Sequence, residues 1–214
     1  MSIDEVKETV VRNIPTLPGW CTPEKGSRMA EVCVGAHDCV ELGVFGGRGL
    51  VSMALPLKDQ GFGRAYGIDP YTAQAALEGT NHPVNIEWWT HLDYEQIAKR
   101  AQMAIDYLGL TAHAWLLRAR SAEASRMFLP ASLDVLHQDS NHSEEVSCEE
   151  ITLWVPKMRP GAYWIFDDTD WPTTKKAQKM LLDRGFVELE DHVQWKIYRV
   201  PGSQVTQNQT PGEP

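Results

Sequence analysis

The chain has 214 residues, 43% hydrophobic and 23% charged, with a formal net charge of −9. This length and balance suit one folded domain with a full-sized core. The acidity argues against gripping phosphate backbones, so no nucleic-acid partner is expected. No apolar run is long enough to cross a bilayer, and the opening Met-Ser-Ile-Asp-Glu-Val-Lys lacks the apolar stretch of a signal peptide. A cytoplasmic protein with no membrane partner is expected. Cys21, Cys33, Cys39 and Cys148 show no CxxC pair or zinc spacing and read as small buried hydrophobes.

The spacing predicts a first helix over 3–12, ended by the Pro15 and Pro18-Gly19 region. Thr22-Pro23-Glu24 predicts a second helix start, with Met29, Val32 and Cys33 turned inward. Strands are then expected over 38–44, 64–69, 112–117, 133–138 and 162–166, with helices between them. One helix follows a glycine-rich loop and runs to about 57. Residues 74–90 read as irregular, and the next helix carries Ile97, Ala101, Ala104, Ile105 and Leu108 on one face. A short helix begins at Ser121, another covers 143–155, and one over 173–184 stops at Gly185. Two last strands, 186–190 and 194–200, are joined only by Asp191-His192-Val193, which demands an antiparallel hairpin. The expected fold is a doubly wound, Rossmann-like α/β domain over 1–200. Its seven-stranded sheet is mostly parallel, with a C-terminal antiparallel hairpin and extra N-terminal helices over 1–37. The polar segment 201–214 is expected to be a disordered tail.

Two short segments carry the chemistry. Asp139-Ser140-Asn141-His142 and Asp167-Asp168 each follow an apolar run that reads as a buried strand. Three carboxylates and an imidazole would then meet at the carboxyl ends of two strands, where open α/β sheets bind ligands. Like charges crowd one pocket cheaply only around a cation, and a divalent metal is the simplest one. His142 reads as a base or as an ordinary helix N-terminal residue, Asp167-Asp168 as ligands or as turn caps. Asp170 could substitute for one acid, Asp134 reads as a cap or surface residue, and Asn141 as a turn former or a substrate contact. The remaining histidines, His37, His82, His91, His113 and His192, read as structural or exposed. Glu144-Glu145 and Glu149-Glu150 read as a solvated helix face, and Trp88-Trp89 as a lid over 79–91 or as packing of the next helix.

Glu41-x-Gly43-x-Phe45-x-Gly47-x-Gly49 lies between the first strand and its helix, where glycine lets backbone approach a ligand. Asp69, about 20 residues on, stands at a strand end suited to binding ribose hydroxyls, or is a turn residue before Pro70.

Glu41-Leu42-Gly43-Val44-Phe45-Gly46-Gly47, Gly67-Ile68-Asp69-Pro70 and Ser121-Ala122-Glu123 resemble the three cofactor motifs of class I S-adenosylmethionine-dependent methyltransferases. Asp139-Ser140-Asn141-His142-Ser143 and Phe166-Asp167-Asp168 resemble the metal-dependent macrocin O-methyltransferase and cephalosporin-hydroxylase-like group. The resemblance implies an O-methyltransferase for a hydroxyl of a small molecule, such as a sugar of a natural product, a vicinal diol or a catechol. It implies that Glu41, Gly43, Val44, Phe45, Gly47 and Gly49 line the methionine and sugar part of S-adenosyl-L-methionine. Asp69 and Pro70 would serve the ribose, Ser121, Ala122 and Glu123 the adenine end, and Asp139 would also border the cofactor. Asp139, Asp167 and Asp168 would hold magnesium or manganese, with His142 as base. A homo-oligomer also fits the resemblance.

Four residues depart from the group's pattern. Gly49 replaces a frequent hydroxyl residue, Ser140 a usual glycine, and His137-Gln138 the apolar end of the fourth strand. A nicotinamide-dependent oxidoreductase is the alternative, weakened by the imperfect Gly47-x-Gly49-x-x-Ser52 fingerprint and the terminal hairpin. A non-catalytic cofactor-binding module is weakened by the intact acid set. A nucleic-acid methyltransferase would usually carry an Asn/Asp-Pro-Pro-Tyr/Phe box where this chain has Gln138-Asp139-Ser140-Asn141-His142.

Overall fold

The computed structural model describes residues 2–80 and 83–202. Helix α1 (Ile3–Asn13) starts at Ser2, whose hydroxyl accepts from Glu5 N while Glu5 takes the Ser2 N–H. α2 (Pro23–Val32) is capped by the Thr22 hydroxyl and opens on proline. β1 (Asp38–Leu42), α3 (Arg48–Gln60) and β2 (Arg64–Ile68) follow. The stretch 74–90, expected to be irregular, instead holds two short helices, α4 (Ala73–Ala76) and α5 (Pro83–Thr90). Pro83 at the first position of α5 suits a helix start better than a loop. Next come α6 (Tyr94–Tyr107), β3 (Ala114–Leu117), α7 (Ser121–Ala124), β4 (Leu133–Gln138), α8 (Glu144–Trp154), β5 (Met158–Asp167), α9 (Lys175–Asp183), β6 (Val187–Asp191) and β7 (Trp195–Arg199). β5 begins four residues before its expected start at Ala162. Most of the expected tail, 203–214, lies outside the described residues.

Among the described residues one seven-stranded sheet has the order β3-β2-β1-β4-β5-β7-β6. β3, β2, β1, β4 and β5 pair in parallel, while β7 runs antiparallel to both β5 and β6. The chain leaves β1 towards β2 on one side and returns as β4 on the other. That reversal opens a crevice at the strand ends.

Side chains alternate across the strands, so each strand feeds two cores. Cys39, Val135, Ile165 and Ile197 join residues of α1, α2, α3 and α6 in one core. Val40, Leu42, Leu136, Trp164, Phe166 and Tyr198 join α8 and α9 in the other. Continuing the first set by two residues gives Glu41, His137 and Asp167, and one further step on β4 gives Asp139. The same alternation that builds a core therefore lines up four polar groups on one face of the strand ends. Cys21, Cys33 and Cys39 are buried and unbridged, as small hydrophobes are.

Candidate active site

The loop after β1 is shaped by two short-range constraints. Gly43 has φ +82°, and a Cβ there would fall 2.1 Å from the Asp139 carbonyl oxygen, so only glycine lets the two loops meet. Asp69 then fixes the turn. Its carboxylate accepts from Val44 N at 3.1 Å, Phe45 N at 3.0 Å and Tyr71 N at 2.7 Å. Phe45 (φ +47°) and Tyr71 (φ +51°) are both left-handed, a conformation that needs such outside support. Burial pushes the Asp69 carboxyl up, against those three N–H groups. A strap over 17–22 covers the loop, tied down by Arg48, which donates to Leu17 O at 2.8 Å and Cys21 O at 3.2 Å.

A single cavity of about 950 Å³ runs from this loop to the acidic strand ends. Glu41, Gly43, Val44, Phe45, Gly49, Asp69, Pro70, Ser121, Ala122, Asp139, His142, Asp167 and Asp168, all expected in the site, border it. Gly47 sits behind its wall as the N-cap of α3, and exposed Glu123 caps the Arg120 N–H instead. Asp170 is exposed and does not border the cavity.

At the acidic end stands a cation contributed by α2. Lys25, only 3% exposed, puts Nζ 2.6 Å from Asp167 Oδ2 and 3.8 Å from Asp139 Oδ2. Burial raises the Asp167 carboxyl's pKa and the Lys25 charge lowers it, together with His137; the balance is a value near 2. Asp139 goes the other way, pushed well up by burial and by the Asp167 charge. His137, fully buried, has Nδ1 2.9 Å from Glu41 Oε1, its neighbour in register on β1. Its Nε2 stands 3.8 Å from Asp139 Oδ2 and has no hydrogen-bond partner. One ligand atom from each of His137, Asp139 and Asp167 lies within 4.8 Å of the other two.

Asp168 (φ +48°) turns instead towards His142. His142 Nδ1 is 2.8 Å from the Ser140 carbonyl, which can only accept, so Nδ1 carries the proton. Nε2 is 2.7 Å from Asp168 Oδ2 yet off the line a hydrogen bond needs. Burial pushes His142 down to about 4, with Asp167 opposing, and pushes Asp168 up to about 7, with Asp167 reinforcing.

Glu150 corrects the solvated-face expectation. It is 1% exposed, and its carboxylate accepts from Ser140 Oγ at 2.7 Å and Gln138 Nε2 at 2.9 Å. α8 turns this one acid towards the sheet, while Glu149 stays on its exposed side. Asn141 is a turn former: Oδ1 accepts from Ser143 N, and Nδ2 donates to the carbonyls of Ala75, Ala76 and Glu78. It thereby moors the α4 segment to the acid loop. His192, among the histidines read as structural or exposed, is exposed, borders the cavity and stacks on Trp195 at 3.7 Å.

Trp88 and Trp89 of α5 meet Trp20 and Phe45 at the cavity mouth, with Trp20–Trp88 centroids 4.8 Å apart and Phe45–Trp89 5.9 Å. Part of the expected 79–91 lid, Asn81 and His82, lies outside the described residues.

Lys25 and His137 had signals in the sequence. Lys25 is four residues before Met29 and seven before Val32, the inward stripe of α2. His137 falls between Val135 and Asp139 in the alternation of β4, on the acid-bearing face.

Comparison with known proteins fits this geometry. The structure is similar to an O-methyltransferase from Bacillus cereus in complex with SAH, at 14% identity and TM-score 0.59, over 92% of this chain and 90% of that one. It is similar to the O-methyltransferase TomG from Streptomyces achromogenes, involved in tomaymycin synthesis and in complex with SAM, at 16% identity and TM-score 0.61, over 93% and 91%. A SAM-dependent O-methyltransferase from Thermotoga maritima matches at 12% identity and TM-score 0.62, over 92% of this chain and 71% of that one. These likenesses establish the shared fold. No curated protein sequence matches significantly. The family model described as a methyltransferase domain matches residues 40–169, from the middle of β1 to just past Asp168, and so takes in the glycine loop, Asp69 and the acid segments. The chain therefore belongs to the methyltransferase-domain family.

Proposed function

We propose that the protein is an S-adenosylmethionine-dependent O-methyltransferase that uses a divalent cation to methylate a hydroxyl of a small molecule with vicinal oxygens. The observation that carries this reading is the continuity of the cavity, which joins the Asp69-anchored loop to His142 and the acids. Its volume of about 950 Å³ is at the upper end of the roughly 300–1,000 Å³ typical of ligand pockets, room for a cofactor beside a small acceptor. Asp69 keeps acceptor capacity for a ribose hydroxyl, because a carboxylate offers about four lone-pair sites and three are used.

The donor set fits a divalent cation. Asp139 and Asp167 share the one positive charge of Lys25, and Asp168 stands beside them at His142, so the carboxylates outnumber the cation. Asp139 and Asp167 would hold the ion, with Asp168 adding its charge from beside His142, and hard oxygens suit magnesium or manganese. When bound, the sulfonium cofactor supplies an electrophilic methyl group and the cation supplies positive charge that favours loss of the acceptor's proton. His142 performs the proton transfer. With Nδ1–H committed to Ser140, the bare Nε2, buried 2.7 Å from Asp168, would take the hydroxyl proton as the acceptor oxygen takes the methyl. The methyl group so transferred would leave the cofactor's sulfur with the electron pair of the bond that joined them. Holding the two reactants in line is the rest of the catalysis, and the Trp20, Trp88 and Trp89 side chains at the mouth limit entry of water.

Calorimetric titration with S-adenosylhomocysteine, with magnesium and again with chelator, tests the cofactor assignment, and micromolar-scale affinity is expected. Silence in both runs rejects it. For the cation, Asp139→Ala is expected to abolish methyl transfer to a vicinal diol while cofactor affinity stays within a few-fold. Full activity of that variant rejects the metal role.

A further inference from the structure

We propose that His137 is itself a ligand of the divalent cation, so that the centre is a mixed nitrogen–oxygen site of His137, Asp139 and Asp167. This rests on the reading that the acid cluster holds a divalent cation, and adds a preference for manganese or cobalt over magnesium.

Four observations carry it. His137 is fully buried, and its Nε2 has no hydrogen-bond partner. A polar atom withdrawn from water without a partner is costly, and a buried imidazole edge directed at two carboxylates has an obvious use. Its ligand atom and those of Asp139 and Asp167 lie within 4.8 Å of one another, so modest side-chain shifts bring them to the roughly 3–4 Å between ligands of an ion with bonds of about 2.1 Å. The other ring nitrogen is held by Glu41 at 2.9 Å. A carboxylate on the far nitrogen of a ligating histidine fixes the ring and frees the near nitrogen. Finally, the spot already attracts positive charge, because the Lys25 ammonium stands 2.6 Å from Asp167 and 3.8 Å from Asp139. Lys25 is the resident cation, and its flexible four-carbon stem lets the ammonium withdraw when the metal arrives.

An imidazole ligand shifts the metal preference. Magnesium favours oxygen alone, whereas a nitrogen donor favours later first-row ions. Asp168 is left to His142, 2.7 Å away, and so belongs with the base.

The test is pulsed electron paramagnetic resonance of the full chain loaded with one equivalent of Mn2+. Replacing a fully buried histidine confuses ligation with folding, so the wild type and His142→Gln are compared. Nitrogen modulation from a directly bound imidazole is expected in both. Its loss in His142→Gln would assign the nitrogen to His142 and overturn the proposal. Bound Mn2+ without nitrogen modulation would also overturn it while leaving an all-oxygen metal site intact. Failure to bind Mn2+ at all would reject the metal reading together with this one. In competition, Mn2+ is expected to bind at least tenfold more tightly than Mg2+, and equal affinity would overturn the preference.

Discussion

Glu41 occupies the space that a side chain at Gly49 would need: a Cβ built on Gly49 falls 1.8 Å from Glu41 Oε1. The buried acid thus leaves no room for any side chain at this position, a hydroxyl residue included. Alanine in the first turn of a helix would ordinarily gain up to about 1 kcal/mol over glycine. Gly49→Ala is expected to do the opposite, lowering stability by about 2 kcal/mol because Glu41 must leave His137. Urea unfolding of the two chains measures the sign, and a stabilised variant would contradict this packing.

Lys25→Met removes the resident cation from between Asp139 and Asp167. In chelator the variant is expected to melt several degrees below wild type, because two close carboxylates lose their shared counter-charge. Divalent affinity is expected to rise at least about tenfold, since the metal no longer competes with an ammonium. Thermal melts across a Mn2+ titration read both effects. Unchanged metal affinity would mean that Lys25 and the ion occupy separate places.

Asp69→Ala is expected to reach beyond ligand contact. Three backbone N–H groups lose their acceptor, and two left-handed residues lose their anchor. A stability loss of about 2 kcal/mol is expected, with S-adenosylhomocysteine affinity down at least tenfold. Asp69→Asn keeps one carbonyl oxygen and should fall between the two. Loss of affinity with an unchanged melting point would show that Asp69 serves the ligand alone.

Glu150 gives a pH signature. Burial, opposed by its hydrogen bonds to Ser140, Ser121 and Gln138, raises its pKa from 4.5 to about 7. Between those values the folded chain keeps a proton that the unfolded chain has released, so stability falls as pH rises across that window and the loss is complete above it. The full effect is about 3 kcal/mol. Glu150→Gln removes it, so urea unfolding at pH 5 and pH 8 should show the variant gaining on wild type at the higher pH. Parallel behaviour of the two chains would mean that Glu150 titrates normally.

The alternation of strands with helices and the meeting of Asp139 with Asp167 were legible because periodicity and strand-end position are local properties. The terminal hairpin was legible because a three-residue link permits little else. What stayed hidden depended on distant partners. Glu150 reads as solvated beside Glu149, and only the neighbouring Gln138 and Ser140 make it a buried acid. α5 escaped because its tryptophans show no one-sided stripe; they pack against Trp20, far away in sequence. Lys25 sat in a stripe that was read for its hydrophobes, and a lysine there is legible only once acids are known to lie opposite.

The strap over 17–22 and the helix behind it change what counts as the working unit. The match to the family model begins at residue 40 and stops at residue 169. Yet Lys25, Cys21 of the Arg48-tethered strap, and His192 beyond β6 all reach the same cavity. A fragment cut to the matched region would keep the glycine loop, Asp139, Asp167 and Asp168 while losing their counter-charge and one wall. The working unit of this chain is therefore wider than the segment by which its family is recognised.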